Sequence, residues 1–491
     1  MSELVSLSEK NHRKSREPIK ILQFGEGNFL RAFVDWFIQK MNDSNQYHGH
    51  VVVVQPLSQG RVKNLQEQDG LYTLILQGIN EQGQAVINSH IIDVLDDFVN
   101  PYDEYQKYLN YFSSSDLEVV ISNTTEAGIY YEAKDVDCDM NNNTPISYPG
   151  KLFAGLKRRF ETFHGERPLA IIPCELIDDN GIKLKEVLLH LARERKESEK
   201  FINYLMDGCH FTNTLVDRIV PGFPRQDFAK LCEQFGYIDN NMVKGEYFHL
   251  YVLQQEDFIE KRFPVDKIGL NAIYVKDVHP YKKRKVRILN GAHSSLVPVA
   301  YLAGFDEVGQ SLLNPLVNQF LTAEINEEIV PTIKIAGVNK FADDVMARFK
   351  NPFVNHKLMA IALNSISKFR ERDIPTIIDD IKAQRKVSHL CFALASLICF
   401  YRGYRINDGV KESIALNDKP EFIKKFNEYW EKYEKDHSVS SLVKSVLANT
   451  SFWGQDLNKI ERLSQEVIKD VELILREPDG YKALETFLQN E

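Results

Sequence analysis

Two hydrophobic periods divide this chain. Up to about residue 278, short apolar runs rich in β-branched residues recur between turn residues: IKILQF (19–24), HVVVV (50–54), LEVVIS (117–122) and PLAIIP (168–173). Runs of this length suit strands of a parallel sheet buried on both faces. DGLYTLILQGI (69–79) and QAVINSHIIDVL (84–95) alternate around Asn80-Glu81-Gln82-Gly83 and predict a β-hairpin insertion. YFHLYVLQ (247–254) and GLNAIYV (269–275) read as two last strands. Beyond residue 278 the period changes to three and four. VGQSLLNPLVNQFL, EINEEIVPTI, KLMAIALNSISKF, LCFALASLICFY, LVKSVLANTSFW and EVIKDVELILR all predict helices. The expected fold class is α/β plus all-α, with one domain over 1–278 and a mostly helical one over 279–491.

The first strand runs into Gly25-Glu26-Gly27-Asn28 and then a helical pattern with Phe29, Phe33, Phe37 and Met41 on one stripe. Strand, glycine turn and helix in that order open a Rossmann-like unit, where backbone N–H groups meet a pyrophosphate. Leu30 stands where a third glycine is usual. After the second strand comes Gln55, with Arg61 and Lys63 beyond, in place of the acid that selects NAD. Gln55 as a neutral acceptor of the 2′-hydroxyl and Arg61 as partner of a 2′-phosphate both remain open. The strand 117–122 ends in Asn123-Thr124-Thr125-Glu126-Ala127-Gly128, at the carboxyl end where open α/β sheets bind ligands. Asp217 beside Arg218 suits a structural ion pair or an acceptor of sugar hydroxyls.

The densest chemistry lies in KVRILNGAHSSLVPVAYLA (285–303). Lys285, Asn290 and His293 follow K-x4-N-x2-H. Asn290 and His293 share a helix face, and Lys285 reaches in from a basic loop just upstream. An ammonium with two rigid polar groups suits a carbonyl that is polarised and then protonated. At the junction of a nucleotide-binding domain and a helical one, these residues are expected to line a cleft.

Composition narrows the partners. A chain of 491 residues exceeds one core and implies two domains. The net charge of −9 argues against nucleic acid and anionic membrane, which require a positive field. YKKRKVR (281–287) is a local exception, read as an anion-attracting mouth beside Asn290. Six cysteines without a C-x2-C pair point to a reducing compartment and no structural metal. The polar N-terminus and the lack of an ~18-residue apolar run place the protein in the cytoplasm, away from membrane. Oligomeric state is not readable.

ILQFGEGNFLRAF, SNTTEAGI, IIPCELIDDNG, TLVDRIV, the K-x4-N-x2-H stretch and RFKNPFVNH keep their order along nearly the whole chain. Together they resemble the mannitol dehydrogenase family of long-chain polyol dehydrogenases, and within it most closely the tagaturonate reductases. The resemblance implies metal-free, NAD(H)-dependent reduction of a keto sugar acid, tagaturonate to altronate. The cofactor turn would be Ile21, Leu22, Gln23, Phe24, Gly25, Glu26, Gly27, Asn28, Phe29, Leu30, Arg31 and Ala32, joined by Gln55, Thr125 and Glu126. Lys285 would be the acid/base, with Asn290 and His293 polarising the carbonyl; Glu175, Asp217, Lys368 and Arg370 would meet the substrate. Leu176 replaces a family asparagine and Lys368 a family arginine, and both changes argue against a plain polyol. Lys283, Arg284, Arg287, Lys368 and Arg370 are the candidates for holding a substrate carboxylate. Fructuronate reductase, mannitol dehydrogenase and a non-catalytic nucleotide-binding protein are the alternatives.

Overall fold

The β-branched runs become strands where the sequence places them. In the computed structural model, which describes residues 4–11, 17–80 and 82–491, these are β1 (Ile19–Phe24), β2 (His50–Val54), β3 (Tyr72–Ile79), β4 (Ala85–Ile92), β5 (Leu95–Val99), β6 (Val119–Ser122), β7 (Ala170–Pro173), β8 (His210–Phe211), β9 (Thr214–Asp217), β10 (Val243–Glu246), β11 (Leu250–Gln254) and β12 (Ala272–Val275). The chain divides into two compact units, Met1–Asn80 with Val86–Val278, and Glu81–Ala85 with His279–Glu491.

The main sheet of the first unit has the order β5-β2-β1-β6-β7-β8, all parallel. Counting only its own strands this is 3-2-1-4-5-6, the dinucleotide-binding order, whose direction reverses between β1 and β6. Alternation along β1 explains how both faces are filled. Ile21 joins one apolar core, while Leu22 and Phe24 join the other.

Several elements differ from expectation. The third strand of the sheet is β5, which a sequence reading merges with the tail of the hairpin because Asp96 and Asp97 interrupt its apolar run. Both acids have partners: His50 Nδ1 lies 3.0 Å from Asp96 Oδ2, and Lys107 Nζ donates to Asp97 Oδ1 at 2.8 Å. β11 and β12 leave the main sheet and form a second one with β9, while β3 and β4 form a third with the unexpected β10. Glu81, in the hairpin turn, lies outside the described residues. The helix after β1 breaks at Phe33 (φ −130°, ψ −76°) into Asn28–Ala32 and Val34–Asp43. The carbonyls involved find other donors, as buried groups must: Tyr72 Oη donates to Arg31 O (2.8 Å) and Arg218 Nη1 to Ala32 O (2.6 Å).

The second unit is helical around the Ser388–Phe400 helix, buried from His389 to Phe400. It is not wholly α. Strands β13 (Tyr404–Asn407) and β14 (Val410–Ser413) form an antiparallel hairpin closed by Asp408 and Gly409, both at positive φ (+48° and +76°). That is the primed turn which an N-D-G sequence favours. Among the described residues, no helix is long and apolar enough to cross a membrane.

Candidate active site

The glycine turn sits at the carboxyl edge of β1, next to the reversal point. Gly25 has φ +122°, and a Cβ there would lie 3.1 Å from both Asn123 O and Leu30 Cδ1. Leu30, in the place of the third glycine, therefore packs into the space that Gly25 leaves. At Gly27 a Cβ would meet nothing within 4 Å, so the turn has an open face. A cradle that a side chain would fill beneath an open, backbone-lined face fits a pyrophosphate.

The remaining turn residues support this shape. Ile21, Leu22, Phe24, Leu30 and Ala32 are core, and Phe29 stacks on Phe33 at 5.1 Å. Gln23 Nε2 donates to Gly25 O (3.1 Å). Arg31 is a buried brace, donating to Glu26 O, Asn28 Oδ1 and Asn241 O. Gln55 is also buried, and its Nε2 donates to Leu57 O (2.8 Å) and Ser58 O (3.3 Å). Its amide thus shapes the loop after β2. Arg61 is exposed, and its backbone N–H donates to Glu26 Oε1 (3.2 Å), tying the ends of β1 and β2 together.

At the end of β6, Thr125 (φ +78°) and Glu126 lie exposed on the loop beside this turn. Glu175 is placed beneath that loop. Its Oε1 accepts from Thr124 N and Oγ1 (both 2.9 Å) and its Oε2 from Ser122 Oγ (3.0 Å), while burial raises its pKa. The carboxylate holds the loop's shape, and the neighbouring Leu176 is the exposed side chain. Asp217 is buried at the end of β9, opposite Leu250. Next to it, Arg218 stacks over Trp36 at 4.3 Å.

In the second unit Lys285 is not on a loop. A continuous helical run comprises an α-helix His279–Arg284, a π-helix Lys285–Gly291 and an α-helix Ala292–Leu302. A π-helix bonds residue i to i+5, which stacks Lys285 and Asn290 on one side, and the following α-turn keeps His293 near Asn290. By helix geometry the three residues thus fall toward one side of the run.

His293 packs its ring on Phe349 (4.1 Å) and edge-on to His356 (5.3 Å). Burial first, then His356, Arg348, Arg372 and Lys368, holds its pKa well below 6.5. It is therefore neutral, and its buried Nε2 has no hydrogen-bond partner among the described residues. A buried imidazole nitrogen without a partner is a polar group open to a ligand, as a donor where it carries the ring proton. Arg348, Phe349 and His356 all come from RFKNPFVNH, a stretch for which the residues alone suggested no role.

Two buried acids support the run. Ser295 Oγ donates to Glu324 Oε1 (2.5 Å), while Glu324 Oε2 and Asp373 Oδ2 have no partner among the described residues. A Cβ on Gly291 would lie 2.9 Å from Asp373 Oδ1, which is why glycine stands there. Burial raises both pKa values well above the usual range, and Glu324 raises that of Asp373 further. A raised folded-state pKa means that ionisation opposes folding: the penalty is absent below the unfolded value near 4 and grows as pH rises toward the folded one. Glu324→Gln is therefore expected to raise Tm at pH 8, with the gain shrinking toward pH 5, as thermal melts at both pH values would show.

Among the described residues no group of three or more His, Cys, Asp or Glu is disposed to hold a metal ion. Residues 19–267 match the family model described as the mannitol dehydrogenase Rossmann domain, and 277–475 that of the mannitol dehydrogenase C-terminal domain. Proteins named altronate oxidoreductase from Escherichia coli and Enterobacter sp. are 40% identical over 476 residues, covering 96% of this chain and 97% of theirs. The fold is also that of a D-sorbitol dehydrogenase in substrate-free form (TM-score 0.81, 22% identity, covering 98% of this chain and 100% of that one). A Pseudomonas fluorescens mannitol 2-dehydrogenase, solved with NAD and D-mannitol, superposes with TM-score 0.68 at 20% identity, covering 97% and 95%.

Proposed function

The chain belongs to the mannitol dehydrogenase family and is an NAD-dependent oxidoreductase acting on CH–OH groups; from that premise we propose that it catalyses the reversible, NADH-dependent reduction of D-tagaturonate to D-altronate, a cytoplasmic step of galacturonate catabolism. Its near full-length likeness to altronate oxidoreductases supports this choice of substrate. The observation that carries the mechanism is the neutral His293 with its unpartnered Nε2.

In this reading the first unit holds the dinucleotide at the Gly25–Gly27 turn, and the second supplies the groups that act on the carbonyl. NADH, when bound, supplies the hydride. His293 Nε2–H and the Asn290 carboxamide donate to the carbonyl oxygen, and both bonds strengthen as that oxygen gains charge. Lys285, one π-turn before Asn290, gives the oxygen its proton; in the reverse direction it removes the alcohol proton. Phe349 keeps bulk water from one face of the imidazole.

The test is NADH oxidation followed in parallel with tagaturonate, fructuronate and fructose. The highest kcat/KM is expected for tagaturonate. Absence of turnover with tagaturonate would overturn the reading, and equal kcat/KM for fructose would remove the carboxylate from recognition.

A further inference from the structure

The basic side chains of the second unit differ in what already neutralises them. Lys283 Nζ and Arg287 Nη1 both address Asp379 Oδ2, at 3.5 and 2.8 Å. Arg370 forks onto Glu371 through Nε (2.9 Å) and Nη2 (2.7 Å). Arg284 is buried with its guanidinium 4.2 Å from the Phe341 ring centroid. These four bases are engaged elsewhere.

Among the described residues Lys368 and Arg372 make only neutral hydrogen bonds. Lys368 Nζ donates to Ile361 O (2.8 Å), and Arg372 Nη1 donates to Asn290 O (3.3 Å) and Ser294 Oγ (2.9 Å). Neither nearby acid forms an ion pair with them among the described residues: Asp418 accepts from Ile366 N, Lys419 N and Tyr401 Oη, and burial pushes the Asp373 carboxyl up, toward its neutral form. Lys368 and Arg372 lie four residues apart on the helix Ser365–Arg372, so two like charges share one face. Two like charges at that spacing repel, and an anion between them relieves the repulsion. Arg372 also rests on the turn that carries Asn290 and His293, and its Nε and Nη2 make no hydrogen bond with the described residues.

We propose that Arg372, through its Nε–Nη2 edge, and Lys368 hold the carboxylate of the sugar acid, making this pair the determinant that selects an anionic over a neutral ketose. A guanidinium fork matches a carboxylate with two parallel bonds, and an ammonium adds a point charge. The assignment rests on the sugar-acid reading above, and it moves the contact from Arg370 to Arg372.

Altronate and its uncharged counterpart altritol are titrated calorimetrically, with NADH present, into wild type, Arg372→Met, Arg372→Lys and Arg370→Met, each checked for folding by its melt. Arg372→Met is expected to weaken altronate by roughly 30-fold or more, Arg372→Lys to recover part of this, and Arg370→Met to stay near wild type. Altritol should be much less affected. The proposal is overturned if Arg372→Met leaves altronate affinity intact, if Arg370→Met carries the loss, or if altritol weakens equally, which would make Arg372 a prop for the Asn290 turn. A wild type that neither binds altronate nor oxidises NADH with tagaturonate fails earlier, at the sugar-acid reading itself.

Discussion

Replacing Lys285 with alanine is expected to lower kcat by ~10²–10⁴ while leaving the dissociation constant for NADH at its wild-type value. Proton transfer by a positioned side chain is worth that much, and the lost ammonium leaves water as the only proton source. Affinity for NADH should survive because the Gly25–Gly27 turn proposed to hold the dinucleotide belongs to the first unit and the π-helix to the second. Single-turnover kinetics with tagaturonate, alongside NADH fluorescence titration, separate the two quantities. Lys285→Met, which keeps the length and apolar stem, should behave like alanine; a methionine variant with normal turnover would leave Lys285 a merely structural role.

Much of the fold around this candidate site was legible because its signals are local. A strand followed by G-E-G-N and a helical stripe is a weak signal alone, but the β-branched runs beside it named most of the parallel strands. β5 was missed because its two acids mask an edge strand whose charges find partners only in the fold. The π-helix hid behind the basic run, which reads as a loop, although the spacing itself held a clue: on an α-helix Lys285 and Asn290 would not face the same way, and on a π-helix they do. Among the bases, the sequence cannot tell which is discharged. Arg370 and Arg372 are two residues apart and so point to nearly opposite sides of their helix; one meets Glu371 and the other the Asn290 turn. The spacing of Lys368 and Arg372 at i and i+4 was the signal available. Glu175 shows the opposite case, an acid at a strand end that reads as a ligand contact but holds the loop of Thr124.

His293 should prove nearly as costly to lose as Lys285, for a different reason. In the proposed mechanism His293→Ala removes one donor to the developing oxyanion, a loss of about 10²–10³ in kcat. His293→Asn keeps an N–H of shorter reach and should fall between. The pH profile distinguishes this role from acid catalysis. Because burial and the cations Arg348, Arg372 and Lys368, with His356, hold the imidazole well below 6.5, it stays a neutral donor through the range where an ordinary histidine titrates, and wild-type kcat should show no limb from it between pH 6 and 8. The same depression has a thermodynamic counterpart. Below the unfolded value near 6.5 the unfolded chain takes up a proton that the folded imidazole refuses, so stability present above that pH is lost as pH falls toward the folded pKa. His293→Ala should therefore flatten the fall in Tm between pH 7 and 5. A variant as steep as wild type would mean that the neutral state of His293 is not what the fold maintains.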